Sequence, residues 1–521
     1  MTCIKDGGCK ILNCRLQLAL ALFLGICLNY MMRVNVNITL LSMVNDTVTE
    51  AGDFTAVSTC ENSFNSSYRK KGKTSLGTFN WSRPTQGMIL GAFFWGYLIT
   101  QIPGGILSFR FGPKWVGFGS VLICSVLELA IPFASFCGSY TLMTVRIGQG
   151  LAQGVIYPTV MCLLGRWIPP NERSRMTAFV NSGSQMGTII GQSVAGILSQ
   201  PRVVGSDLVS YWPLVHYVIG SLGCLFLIFW FFVVYDDPSC HPRIANDERD
   251  YIEDELHMRA GGSKVSPVIL SDFPDKSTDV TKSVQLMPMV SDEPPATRVP
   301  RSFVPWRSVL RSRPFWAILI IHVTHNWSWY TLITCMPTYM SRVQGFSMAD
   351  NGILSSLPYL CQCLFAQLVG FVSDMLIKRG MLSVTWARKI NNLIALGGIG
   401  AGLLAVGLLG CNRIGVVLVF VTCIGMMGAA SSGFTCNIVD LAPQFAGVIL
   451  SITNTIATLP GILGPLFVGY VTRHSSSLEN WRIVFGVATG IAWFGALINL
   501  LLTSAVRQPW GELERSTNGN H

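Results

Sequence analysis

Twelve stretches of about 20 largely apolar residues, the length a helix needs to cross a bilayer, constrain this chain more than any other feature. They lie near 17–40, 86–107, 115–136, 142–164, 176–198, 211–235, 314–338, 351–375, 390–410, 414–440, 445–471 and 482–505. Half of the 521 residues are hydrophobic and 12% are charged, which is outside the range of soluble globular chains. The chain is therefore read as an all-α, multi-pass membrane protein. Its 51 glycines and 25 prolines agree with this, because neighbouring helices and hydroxyls re-satisfy interrupted backbone inside a membrane. The sixteen cysteines fall mostly within the spans, where Cys acts as a small hydrophobe, and none has metal-ligand spacing. No metal is expected. Cys3, Cys9 and Cys14 beside the first span match only a weak lipidation pattern, and inert thiols are the reading adopted.

With the N-terminus placed inside, 25 of the 37 Lys and Arg residues fall in inside segments and 10 in outside loops, while Arg33 and Arg146 lie within spans. That bias predicts two cytoplasmic termini. The net charge of +10 then reflects topology, and no nucleic-acid partner is expected. Arg69, Lys70, Lys71 and Lys73 run against the bias in the first outside loop. The same loop carries N-x-[ST] sequons at Asn45, Asn65 and Asn80, which predict a glycosylated luminal or extracellular segment.

The spans divide six and six, so three regions are expected: residues 1–235, a six-helix bundle with the glycosylated loop; 236–313, a cytoplasmic linker; and 314–521, a second bundle with a short tail. In the linker, "DERDYIEDELHMRAGG" reads as a short amphipathic helix and the rest as disordered. The halves echo each other. "GGILSFRFGPK" follows the second span and "GFVSDMLIKRG" the eighth, while "GQSVAG" in the fifth matches "GPLFVG" in the eleventh. Small residues at that spacing let helices approach closely. Two parallel six-helix repeats joined by a long inside loop form the major facilitator fold, with a substrate site near the midplane between the halves.

Ionisable residues inside spans are functional candidates, because a charge facing hydrocarbon costs at least ~2.5–3.5 kcal/mol. Asn29, Arg33 and Asn37 follow at i, i+4 and i+8, one helix face. The other reading of Arg33 is a side chain snorkelling to the headgroups. Arg146, Gln149, Gln153 and Tyr157 form a second stripe in "RIGQGLAQGVIYP"; alternatively, Glu128 or Asp440 neutralises Arg146 as a structural partner. His322, His325 and Trp329 share a face of the seventh span, and His325 either meets an anion or is satisfied by a neighbour. Asn437 with Asp440, and Asn454 with Thr458, add polar faces to later spans. Glu128, Asp374 and Asp440 are candidate coupling or gating residues. Two arginines aimed at one cavity repel unless something negative joins them, and guanidinium forks grip carboxylate or phosphate in bidentate fashion. No HExxH, Walker A or G-x-S-x-G motif is present, so no enzyme activity and no catalytic residue is expected.

The stretches "YMMRVN", "FFWGYLITQIPGG", "RWIPPNERSR", "HNWSWYTLITCMPTYM", "NGILSSLPYL" and "ITNTIATLPGILGP" resemble signatures of solute carrier family 17, the anion/cation symporters of the major facilitator superfamily, with the flavour of its sialin-like and phosphate or organic-anion cotransporter branches. The resemblance implies that Arg33 and Arg146 are the anion-recognition arginines. It also marks departures. Leu90 stands where glutamate-transporting members have histidine, and His325 where they have arginine. Gln153 stands where sialin and those members have glutamate, and an amide cannot titrate. The expectation is a symporter of organic anions or inorganic phosphate driven by a sodium or proton gradient or by membrane potential, without cofactor. It is expected to be monomeric, with a small anion and the lipid bilayer as partners, and the plasma membrane is preferred over a vesicular or lysosomal one. The alternative is a transport-inactive sensor signalling through the linker.

Overall fold

The computed structural model describes residues 13–45, 60, 77–204, 207–257, 305–442 and 445–511. In chain order its helices are α1 (Cys14–Met43), α2 (Arg83–Phe111), α3 (Pro113–Cys137), α4 (Ser139–Gln153), α5 (Ile156–Trp167), α6 (Pro170–Leu198), α7 (Trp212–Val233), α8 (Asn246–His257), α9 (Trp306–Arg311), α10 (Arg313–Arg342), α11 (Met348–Lys378), α12 (Val384–Leu409), α13 (Arg413–Met426), α14 (Phe434–Leu441), α15 (Ala446–Ile456), α16 (Leu459–Val471) and α17 (Leu478–Leu502). The pairs α4–α5, α13–α14 and α15–α16 each form one crossing, which makes the twelve that the apolar stretches predict. Ten crossings are recognisable by length and hydropathy alone. The sixth and tenth helices, α6 and α10, fall short because both carry polar side chains that the fold turns inward.

With an even number of crossings, α1 begins and α17 ends on the same face, called inner here. On the outer face β1 (Arg202–Val204) and β2 (Asp207–Val209) form an antiparallel hairpin. There too a disulfide joins Cys60, before α2, to Cys411, between α12 and α13. Spacing does not announce this pair, since 351 positions separate its members. On the inner face Arg15 bridges Glu172 at 2.7 Å and Glu248 at 3.2 Å, which docks α8 against the start of α1; Cys14 is buried in that contact and its N–H donates to Glu248. The predicted linker beyond α8, residues 258–304, lies outside the described residues, as do Asn65, Cys3 and Cys9. Asn80 is exposed and Asn45 half-buried on the outer face.

Proline explains two joints between helices. Pro337 within α10 cannot donate to the carbonyl of Ile333, and Asn37 of α1 supplies the missing donor at 2.8 Å. Between α15 and α16 the backbone leaves the regular pattern just before Pro460, and the carbonyl of Ala457 accepts from Asn326 of α10 at 2.9 Å. In both places a side chain from a neighbouring helix satisfies backbone that lipid could not.

The recurring glycine spacing has one structural meaning in both halves. The first glycine packs on its own half, Gly191 against Met31 and Gly464 against Thr331. The second packs across the interface, Gly196 against Gly352 of α11 and Gly469 against Arg83 and Pro84 of α2. A Cβ on Gly196 would lie 2.7 Å from the Gly352 Cα, so only glycine permits that crossing. Hydrogen bonds from Ser193 to Ser356 and from Arg342 to Gln86 join the same outer region, and the halves are clasped there. Large apolar side chains such as Ile106, Phe133, Phe371 and Leu408 cover the outside of the bundle, as lipid contact requires.

Candidate functional site

A cavity opens where the two halves meet, lined from α1, α2, α4 and α10 by Tyr30, Arg33, Asn37, Phe93, Arg146, Tyr330 and their neighbours. Arg33 and Arg146 are 7% and 2% exposed, so neither snorkels to the membrane surface. The burial of Arg146 follows from packing at Gly150, one turn along α4 from it. A Cβ there would fall 1.9 Å from the carbonyl oxygen of Phe93, and its absence lets α4 press against α2 and set Arg146 beside Phe93.

Aromatic faces surround the Arg33 guanidinium. Its carbon lies 4.5 Å from the ring centres of Phe93 and Tyr97, 5.1 Å from Phe94, 5.3 Å from Tyr30 and 5.9 Å from Tyr330. Each such contact supplies on the order of 0.5–2 kcal/mol, enough to hold a cation in place without cancelling its charge. No ion pair among the described residues includes Arg33 or Arg146, and Arg33 Nη2 and Arg146 Nε are buried without a hydrogen-bond partner. Arg146 Nη1 donates to Gln149 Oε1 at 2.9 Å and Nη2 to the carbonyl of Arg33 at 3.1 Å. Two planar cations thus converge on one space with donors to spare, an arrangement suited to a multivalent or resonance-delocalised anion.

The remaining sequence-selected residues take different places. Tyr157 stands behind the cavity, donating to the Tyr30 hydroxyl at 3.2 Å. Gln153 donates to the carbonyl of Asn29 at 2.9 Å, which ties α4 to α1. His325 and His322 turn from the cavity and pack on Phe434 at 5.5 and 4.8 Å between ring centres, whereas Trp329, on the face expected to be theirs, does line it. Asn454 donates to Gln101 of α2 at 2.8 Å, across the interface between the halves. Glu128 is buried behind Arg146 and linked to it through Gln149. Asp440 pairs with Arg388 at 2.7 Å near the inner face and is not the partner of Arg146; Asp374, exposed on α11, shares the electrostatic surroundings of Cys436 with that pair.

The aromatic enclosure of Arg33 is what reading the sequence missed. Its signal was the run "FFWGY", whose Phe93, Phe94 and Tyr97 recur at helical spacing on one face of α2.

Residues 22–465 match the model of the Major Facilitator Superfamily, and the chain belongs to that superfamily of membrane transporters. Within it the chain is a member of solute carrier family 17. It is 36% identical to the Drosophila melanogaster protein named "Putative inorganic phosphate cotransporter" (95% of this chain, 85% of the other) and 33% identical to sialin of Homo sapiens (96% and 91%). It is 32% identical to vesicular glutamate transporter 1 of Bos taurus (98% and 80%). Among solved structures, a bacterial homologue of the human lysosomal transporter Spinster, inward-facing and unoccupied, superposes with a TM-score of 0.66 at 14% identity, covering 96% of this chain and all of that one. These relatives are transporters rather than enzymes.

Proposed function

We propose that the protein is a secondary active transporter of small organic anions or inorganic phosphate, working by alternating access, with Arg33 and Arg146 as the pair that receives the anion. The observation that carries this reading is the pair of buried guanidiniums with no carboxylate in an ion pair among the described residues and with a cavity at the interface of the halves. Related proteins named for phosphate, sialate and glutamate all take anionic solutes, which supports the same class. Nothing about the relatives favours a sensor that signals without transport.

In this reading Tyr157 fixes Tyr30 at the cavity wall, Gln153 holds α4 to α1, and Asn454 with Gln101 forms a contact that must break and re-form as the halves rock. His325 lies against Phe434 and serves packing around α10. Asp374 and Asp440, with Arg388, belong to an inner gate, and the driving ion is sodium or a proton, with no cofactor. The carrier acts as a monomer in the bilayer with both termini in the cytoplasm and glycans at Asn45, Asn65 and Asn80. The relatives include a vesicular transporter, so they lend no weight to the plasma membrane over an internal one.

The test is purified protein in liposomes, offered labelled phosphate, sialate, glutamate and urate with sodium, proton and voltage gradients imposed separately. Each charge-assisted hydrogen bond lost is worth about 1.5–3 kcal/mol, so Arg33→Ala and Arg146→Ala should each lower uptake at least about tenfold. Normal uptake by both variants would remove the basis of the proposal.

A further inference from the structure

Behind Arg146 lies a polar cluster in the apolar core of the first half. Glu128 of α3 and His216 of α7 are both fully buried, with Glu128 Oε1 2.8 Å from His216 Nδ1. Asn35 of α1 donates to the same carboxylate oxygen, and Gln149 Nε2 of α4 donates to Oε2 at 2.7 Å. One carboxylate thus accepts from three other helices, and removing it would leave three buried donors unmatched. The backbone adds a further irregularity, since Pro132 deprives the carbonyl of Glu128 of its usual helical donor.

We propose that Glu128 and His216 form a proton-binding site whose occupancy is transmitted to Arg146 through Gln149. Two observations separate it from a merely structural ion pair. His216 Nε2 is buried and has no hydrogen-bond partner, so the imidazole keeps one nitrogen at which a proton can be accepted. The Gln149 amide, moreover, is held at both ends, its Nε2 on the Glu128 carboxylate and its Oε1 on Arg146 Nη1.

Taking up one proton changes the pair from carboxylate plus neutral imidazole, net charge −1, to net charge zero, forming one O–H or N–H bond. When the proton resides on Oε2, that oxygen must donate. Gln149 then turns its carbonyl toward Glu128 and its amino group toward Arg146, which breaks the Arg146–Gln149 bond and frees one Nη1 hydrogen for a ligand, while the other stays directed at the Met32 carbonyl 3.4 Å away. Loss of the nearby negative charge raises the positive potential at Arg146 as well. Both effects favour an anion when the proton is bound, and by linkage the anion favours the proton equally. The ionisable groups facing Glu128 from the helices packed on it are His216 of α7, Arg146 of α4 and Cys124 on α3 itself; α1 presents the uncharged Asn35, with Arg33 beyond Arg146. The consequence for transport rests on the anion-carrier reading, whereas the titration does not.

Two measurements decide the matter. Infrared difference spectra of the purified protein, recorded across a pH titration, should show a buried carboxyl band. That band should be lost in E128Q and should titrate at a different pH in H216N. In liposomes, E128Q should lower the ratio of pH-driven accumulation of labelled phosphate to its counterflow at least tenfold, with sialate as the parallel probe. Identical spectra in wild type and E128Q, or undiminished pH-driven accumulation in E128Q, would overturn the proposal. If E128Q fails to fold, H216N decides it alone: an unmoved carboxyl titration counts against the pair. A wild-type protein that moves neither probe sinks the carrier reading for those anions, and the spectra still decide the proton site.

Discussion

Arg146 Nη2 donates to the main-chain carbonyl of Arg33 at 3.1 Å, so the second cation is steered by the backbone of the residue that bears the first. The bond fixes one guanidinium relative to the other without consuming the charge of either. An anion entering the cavity meets a preset pair of forks, and little side-chain freedom is left to lose on binding.

Replacing Arg33 by lysine keeps the charge and removes the planar fork that the surrounding rings stack upon. Arg33→Lys is expected to weaken apparent affinity for the transported anion by about tenfold, since the two cations are not equivalent at stacked or bidentate sites, with the amount of folded protein unchanged. Concentration-dependent uptake checks this, and an unaltered half-saturation would show that charge alone matters.

Gly150→Ala should destabilise the first bundle by about 1–3 kcal/mol, the usual cost of overpacking, because the new Cβ meets the Phe93 carbonyl at 1.9 Å. Gly119→Ala, whose Cβ meets nothing within 4 Å, is the control and should be neutral or stabilising. Thermal unfolding in detergent distinguishes them; equal shifts would mean that the α2–α4 contact is softer than its geometry.

Gly352→Val should pry open the outer clasp. Its Cβ would lie 2.6 Å from the carbonyl of Gln192 and 2.8 Å from the Gly196 Cα, so α6 and α11 cannot keep their crossing. Spin labels placed at the outer ends of those helices should move apart relative to wild type, and uptake should fall. Unchanged label distances would argue that the clasp is not closed by this contact.

Arg388→Ala leaves Asp440 without its 2.7 Å partner. Full burial would make that loss worth about 3–5 kcal/mol, but Asp440 is 26% exposed, and a loss nearer about 1–2 kcal/mol is expected after screening. Anion affinity should stay as it is, because the pair lies near the inner face. A selective loss of affinity without loss of thermal stability would place Asp440 at the site instead.

Much of this arrangement could be read in the residues because its causes are local. Apolar length gave the crossings, and the Gly-x-x-x-x-Gly spacing marked points where helices approach closely; which glycine packs within its own half and which across the interface became visible only in the fold. The stripe at Asn29, Arg33 and Asn37 identified the polar face of α1. What the sequence concealed arises between segments far apart in the chain. The rings around Arg33 come from α1, α2 and α10, and the shared face of Phe93, Phe94 and Tyr97 on α2 does not by itself say which cation from another helix it meets. His216 gained meaning only when α7 set it against Glu128. Asn37 was legible only as part of the polar stripe; that its amide serves the carbonyl freed by Pro337 is a need that arises only once α1 and α10 are side by side.

The Cys60–Cys411 bond joins the halves on the outer face, and the polypeptide itself joins them on the inner face. The bundles are therefore closed into a ring with two independent fastenings. A protease cut between residues 257 and 305 alone leaves both bundles in one covalent piece, as does reduction alone; only the two together sever every covalent link among the described residues, so that two pieces separate once the non-covalent clasp is denatured.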